Sequence, residues 1–222
     1  MAEDARLNQV YEGQFGSFTI DATDRREVIL YRAGLGIAAF SFFTATLIGL
    51  YGRTEIPHAL YLVSALYGLM WGGLGLSLWF IHIYLRPLHR ALQLFWLIGG
   101  VASLALAWTL PGPLALTAYQ QPLSILGIGF TFAALTGIFF KEAFCFNRLE
   151  TKVLTLLVPG LLLSHLTGLL TPEAGRWLLP IWAGLFLVFA VRKLVQPIPP
   201  DIGDKSVFDY LKQQRLTSQQ AS

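Results

Sequence analysis

Cysteine is all but missing from this chain: Cys145 is the single one, so no intrachain disulfide can form, and neither a multi-cysteine zinc site nor an iron–sulfur cluster can be built. Charge is scarce as well. Only 13% of the 222 residues are Asp, Glu, Lys or Arg, against about 25% in an ordinary soluble domain. Also missing are a phosphate-binding glycine loop, a Ser-His-Asp arrangement, paired carboxylates inside an apolar run, and any polar stretch long enough for a separate nucleotide-binding or catalytic core. The formal charge of +3 is too small and too spread out to indicate nucleic acid; anionic lipid headgroups account for it more simply. The N-terminus, Met-Ala-Glu-Asp, has neither the basic start and early apolar stretch of a signal peptide nor the acid-poor, Arg-rich character of a transit peptide.

What fills the chain is apolar sequence, 55% of it hydrophobic. A hydrocarbon core of about 30 Å takes roughly 20 apolar residues per helical crossing. Six windows read as spans: Ala33–Tyr51, Ala59–Leu85, Ala91–Leu110, Pro122–Phe140, Val153–Leu170 and Trp177–Val195. The predicted fold is an all-α polytopic transmembrane helix bundle. A polar N-terminal segment (1–32) precedes it, the six-helix domain covers 33–195, and a polar tail follows (196–222). Gln14 to Ile20 has the alternation and glycine of a short strand or turn. Asp24 with Glu27 reads as a capping box opening an amphipathic lead-in to the first span. The sixth span is short and requires Arg192 and Lys193 to snorkel toward headgroups. Pro159-Gly160 is expected to kink the fifth.

In the six-span layout every Lys and Arg except Arg53 and Arg176 falls on one side, which the positive-inside rule makes cytoplasmic, with both termini there. Small residues at helix-packing spacing, Gly34 with Ala38, Gly68 with Gly72 and Ala133 with Gly137, predict close helix contacts, read as packing within the chain before a dimer face. No internal repeat of the kind that marks many secondary transporters is visible.

Two polar clusters share the basic side. One holds His82, Tyr84, Arg86, His89 and Arg90 around the helix-breaking Pro87; the other runs from Lys141 through Glu142, Cys145, Arg148 and Glu150 to Lys152. Imidazole, carboxylate and thiolate suit zinc or iron, so His82, His89, Glu142 and Cys145 are the candidate metal ligands, although no pair has diagnostic spacing. The competing reading is a structural or partner-binding network of Arg86, Arg90, Glu142, Arg148 and Glu150, with Arg86 or Arg90 paired to Glu142 or Glu150. His165 is the candidate ligand for a haem or pigment, against a plain packing histidine. At about 1.5 Å per residue it lies roughly 18 Å from Val153, too deep to share a haem with His82. No cofactor is predicted. Cys145, between Phe144 and Phe146 with no histidine in its motif, reads as inert.

Several of these segments resemble one family. Tyr11-Glu12-Gly13-Gln14-Phe15-Gly16, Asp24-Arg25-Arg26-Glu27-Val28, Tyr31-Arg32-Ala33-Gly34, Pro87-Leu88-His89-Arg90, and the stretch from Gly129-Phe130-Thr131-Phe132 to Arg148-Leu149-Glu150-Thr151-Lys152 are similar to an uncharacterised family of integral membrane proteins from cyanobacteria with plastid relatives. The resemblance implies an oxygenic phototroph, hence a thylakoid or plasma membrane, and brings no activity and no functional residues with it. The expected function is a non-enzymatic scaffold or assembly factor in that membrane. Its partners would be the lipid bilayer and a membrane protein complex. The alternatives are a small solute transporter or channel and a pigment- or haem-binding protein.

Overall fold

The N-terminal polar segment folds before it reaches the membrane-length helices. In the structure, a computed structural model that describes residues 10–52, 57–207, 210–212 and 217, strands β1 (Val10–Gly13) and β2 (Gly16–Thr19) pair antiparallel, with Gly13 opposite Gly16. Gln14 and Phe15 make the turn, and Gly16 takes φ +141°, a value that disfavours any residue with a Cβ. Helix α1 (Ala22–Tyr51) starts immediately afterwards and runs without a break into the first apolar run. Its cap is one turn earlier than the sequence suggested. Asp21 accepts from the Asp24 backbone N–H at 2.9 Å, while the Asp24 carboxylate accepts from the Asp21 N–H at 3.0 Å. Glu27, the acid expected in that box, pairs instead with His82 at 3.2 Å.

The remaining long helices are α2 (Pro57–Phe80), α3 (Arg86–Thr109), α5 (Ile125–Phe146), α6 (Leu149–Leu166) and α7 (Pro172–Val195), with a short α4 (Leu114–Gln120) and a 3-10 turn (Pro122–Ser124) between α3 and α5. After α7 comes one turn, α8 (Pro199–Ile202). Among the described residues six helices are long and apolar enough to cross a membrane, and their order matches the six expected spans. Their bounds shift: α2 ends at Phe80 rather than Leu85, α5 continues to Phe146, and α6 begins at Leu149. The early stop of α2 leaves the Leu78 carbonyl without a helical donor. His89 supplies one at 2.6 Å and Gln93 another at 3.3 Å, so a side-chain cap replaces the missing turn. Pro159 sits inside α6 and Pro180 inside α7.

Helix α1 packs on α2 and α7, α3 on α5, and α6 between α5 and α7. The common core holds Leu35, Met70, Leu74, Phe132, Leu135, Phe139, Leu154, Trp182, Phe186 and Phe189. Gly34 meets Gly73 backbone to backbone: a Cβ on Gly34 would stand 2.6 Å from the Gly73 carbonyl oxygen and 2.8 Å from the Ser77 nitrogen. Of the three expected small-residue contacts, Gly34–Ala38 lies in this crossing and Gly137 receives Leu92, whereas Gly68 and Gly72 face open space. Between α2 and α3, Trp71 and Trp96 stack at 4.4 Å. Each indole N–H donates to the other residue's backbone carbonyl, at 3.0 and 2.8 Å.

The hairpin and the chain after α7 close one end together. Ile20, Val28 and Ile202 form a small second core with Tyr11, Phe18 and Ile198 around it. The Asp204 carboxylate accepts from the Gln14 N–H at 2.7 Å, the Ser206 hydroxyl from the Phe15 N–H at 3.1 Å, and Phe15 stacks on Tyr210 at 4.2 Å.

Candidate functional site

The buried ionisable groups gather at the end where α1 begins and α7 finishes. Glu142, near the end of α5, is wholly buried, as is Lys193 near the end of α7. Lys193 Nζ lies 2.7 Å from Glu142 Oε2 but off the hydrogen-bonding direction, so this contact is Coulombic; its directed bond goes to Asp201 Oδ1 in α8. Glu142 Oε1 accepts from the Tyr31 hydroxyl at 3.2 Å and from Lys141 Nζ at 2.9 Å. The other oxygen of Asp201 takes Arg32 Nε at 2.9 Å and Nη2 at 2.6 Å. The rest of that guanidinium fork donates to the Gln196 and Pro197 carbonyls at 2.6 and 2.9 Å. Phe146 places its ring 4.2 Å from the Lys193 ammonium, a cation–π contact.

Three cations (Arg32, Lys141, Lys193) thus enclose two carboxylates (Glu142, Asp201) and join α1, α5, α7 and α8. Charges removed from water cost several kcal/mol apiece unless neighbours replace the lost hydration. Here each has at least one opposite charge and a hydrogen bond, so the arrangement is a clamp. A second pair lies beside it: Arg192 on α7 reaches Glu150 at the start of α6 at 3.0 Å, and Arg148 donates to the Gln196 side chain.

This overturns the expected pairing. Among the described residues neither Arg86 nor Arg90 forms an ion pair with Glu142 or Glu150; both are exposed at the start of α3, and the carboxylates are taken by α7. The physical reason is rotation. Residues 192 and 193 are adjacent, so on a helix they point about 100° apart. Arg192 stays on the exposed face and reaches Glu150, while Lys193, on the face turned toward α5 and α8, enters the core instead of snorkelling. No local pattern marked Lys193. Tyr31 and Arg32 stood out only as part of the Tyr31-Arg32-Ala33-Gly34 segment that carries the resemblance, with no role attached, and nothing local marked Asp201.

The proposed metal ligands do not converge. His82 pairs with Glu27, His89 caps α2, Glu142 lies in the clamp, and Cys145 is exposed. Among the described residues no three His, Cys, Asp or Glu side chains gather for a metal ion. His165 donates from Nε2 to the Ala118 carbonyl at 3.0 Å and lies 6.4 Å from the Tyr119 ring.

Outside the helices, burial holds His82 below its ordinary 6.5 despite the Glu27 carboxylate, and burial pushes the Tyr84 hydroxyl up to about 12. Tyr84 donates to the Ile202 carbonyl, fastening the α2–α3 connection to α8. The Ser206 hydroxyl and the Gln14 N–H hold Asp204 below the usual carboxylate value.

Six membrane-length helices around one apolar core make this a polytopic, all-α integral membrane protein. The chain belongs to the family described as uncharacterized integral membrane protein (DUF2301), whose family model matches residues 76–210. No curated protein and no solved structure matches it. The matched stretch contains Glu142, Glu150, Lys193 and Asp201, while Tyr31, Arg32 and the hairpin lie before it.

Proposed function

We propose that the protein is a non-enzymatic scaffold or assembly factor of a photosynthetic membrane, thylakoid or plasma. In this reading both termini are cytoplasmic and the α5–α6 turn is the surface a partner membrane protein meets. The observation that supports it is the character of that turn. Asn147 reverses the chain in the left-handed conformation, Phe144 stands 84% exposed and Leu149 74% exposed, and the exposed Lys152 lies beside them. Directly behind, the clamp fixes Glu142 on α5, and the Arg192 pair fixes Glu150 on α6. A rigid turn presenting large apolar groups with basic neighbours is suited to docking. The one-sided placement of Lys and Arg supports the orientation.

Affinity purification from native membranes at low and moderate salt tests the reading. Wild type should carry a membrane complex that Phe144→Ser/Leu149→Ser loses while still accumulating and remaining helical. A double variant that folds and keeps every partner would sink it. Orientation is checked separately with the exposed Cys145, the only cysteine: a membrane-impermeant maleimide should label it only after the cytoplasmic face is opened.

A transporter for a small solute is the second reading. What favours it is a hydroxyl group at mid-bundle beside a groove of about 320 Å³ between α2, α3 and α4. Ser103 donates to the Gly99 carbonyl, so Tyr67 donates to Ser103 at 2.7 Å and accepts from Thr131 at 3.0 Å. Solute flux in proteoliposomes that falls in Tyr67→Phe would promote this reading over the first.

A further inference from the structure

Helix α3 opens with two arginines that its own structure does not need. Its first turn has no acidic residue, its cap residue Leu85 offers no side-chain acceptor, and a helix N-terminus disfavours cations. Arg86 and Arg90 are exposed, carry no ion pair among the described residues, and stand four residues apart on one face. Glu27, the carboxylate that reaches the neighbouring α2–α3 connection, is held by His82.

The same face continues into apolar surface. Leu94, Leu97 and Val101 follow Arg90 at spacings of four, three and four, and all three are at least half exposed. Between α3 and the last turns of α2 this surface is concave. A groove of about 320 Å³ is lined by Gly75, Leu78, Trp79, Gln93, Leu94 and Leu97, and Trp79 at its rim is 71% exposed. The volume falls at the small end of the roughly 300–1,000 Å³ typical of ligand sites. From Arg90 to Val101 the helix rises roughly 16 Å, about half of a hydrocarbon core of about 30 Å. Cationic head, interfacial tryptophan and apolar trough are therefore stacked over the depth of one leaflet.

We propose that Arg86, Arg90 and the α2–α3 groove form a binding site for one anionic phospholipid, with the phosphate on the arginines and an acyl chain along Trp79, Leu94 and Leu97. Charge complementarity names the head: two guanidinium forks match phosphate oxygens, and a zwitterionic lipid would bring its own cation against them. The depth of the trough names the chain. The site is independent of the docking turn on α5–α6.

The test is native mass spectrometry of the full-length protein from micelles doped equally with phosphatidylglycerol and phosphatidylcholine. Wild type should retain phosphatidylglycerol preferentially. Arg86→Gln/Arg90→Gln should reduce that preference by roughly twenty-five-fold, at about fivefold per basic residue near a membrane surface. Filling the trough with Leu94→Trp/Leu97→Trp should lower retention of both lipids while helicity stays unchanged. Arg26→Gln/Lys152→Gln, which removes two other exposed cations, should leave the preference intact. Equal retention of the two lipids by wild type overturns the site, as does an equal loss in the Arg26/Lys152 control, which would show diffuse charge attraction. Displacement of the lipid by millimolar inorganic phosphate would show an anion site without lipid selectivity. Loss of a native protein partner with unchanged lipid retention in Arg86→Gln/Arg90→Gln would mark the face as a protein-docking surface instead.

Discussion

Two parts of this bundle are held by different physics. The α1–α5–α7 side converges on ionised groups from four elements far apart in sequence, whereas α2 and α3 are joined by a stacked tryptophan pair whose partners are 25 residues apart. In the first, each group is tolerable only because the others are present: removing one leaves a charge buried. In the second, each contact adds to a surface that lipid could otherwise wet. The comparison teaches that the charged side depends on correct assembly of the whole chain, including α8, while the α2–α3 pair can form as soon as its two helices are inserted.

The sharpest way to break that contrast is Lys193→Met. Glu142 keeps Lys141 and Asp201 keeps Arg32, yet both lose the central cation, and a loss of about 3 kcal/mol is expected, the lower part of the range for breaking a buried pair. Unfolding in mixed micelles measures it. Adding Glu142→Gln should recover part of the loss, because the wholly buried carboxylate is neutralised while the partly exposed Lys141 can turn to water; no recovery would mean that the clamp acts through packing alone. Next in size is Gly34→Val. Its side chain would meet the Gly73 carbonyl and the Ser77 nitrogen, and backbone cannot step aside, so a cost of about 2–3 kcal/mol is expected in the same assay.

On the neutral side, Trp71→Phe removes one indole bond and part of the stack, for about 1–2 kcal/mol. A loss as large as that of Lys193→Met would erase the contrast. The smallest effect belongs to the hairpin junction, where Asp21→Ala should cost about 1 kcal/mol by removing the α1 cap. This contribution depends on pH. The bond from the Asp24 N–H holds Asp21 below its ordinary 3.8, so the folded chain binds fewer protons here than the unfolded one. The cap's contribution is complete above 3.8 and is lost as pH falls through the lowered value. The wild-type and Asp21→Ala melting curves should therefore converge in acid.

The six spans were legible because hydropathy is a local property: a run of apolar residues long enough to cross lipid identifies itself without knowledge of its neighbours. The hairpin was legible in part, as a strand or turn between Gln14 and Ile20, from its alternation and glycine. Helix ends were less so: α2 stops at Phe80, and the carbonyl this leaves free is capped by His89 and Gln93, which reach back from the following helix. The sequence reading assigned Glu142 and Glu150 to a network and missed their partners. Proximity in the chain and a shared face pointed to Arg86 and Arg90, but the packing of α7 against α5 and α6 brought Lys193 and Arg192 instead.

By itself, the amino-acid sequence determined the class and, among the described residues, the number of membrane-length helices, because each follows from composition summed over windows. Only the tertiary structure decided which charges are buried, that Asp201 returns to Arg32 and Lys193, and that the N-terminal hairpin closes over the segment after α7. Those outcomes depend on the rotation of each helix about its axis and on contacts between residues more than a hundred positions apart, such as Arg32 with Asp201 and Tyr31 with Glu142. No local pattern carries that information.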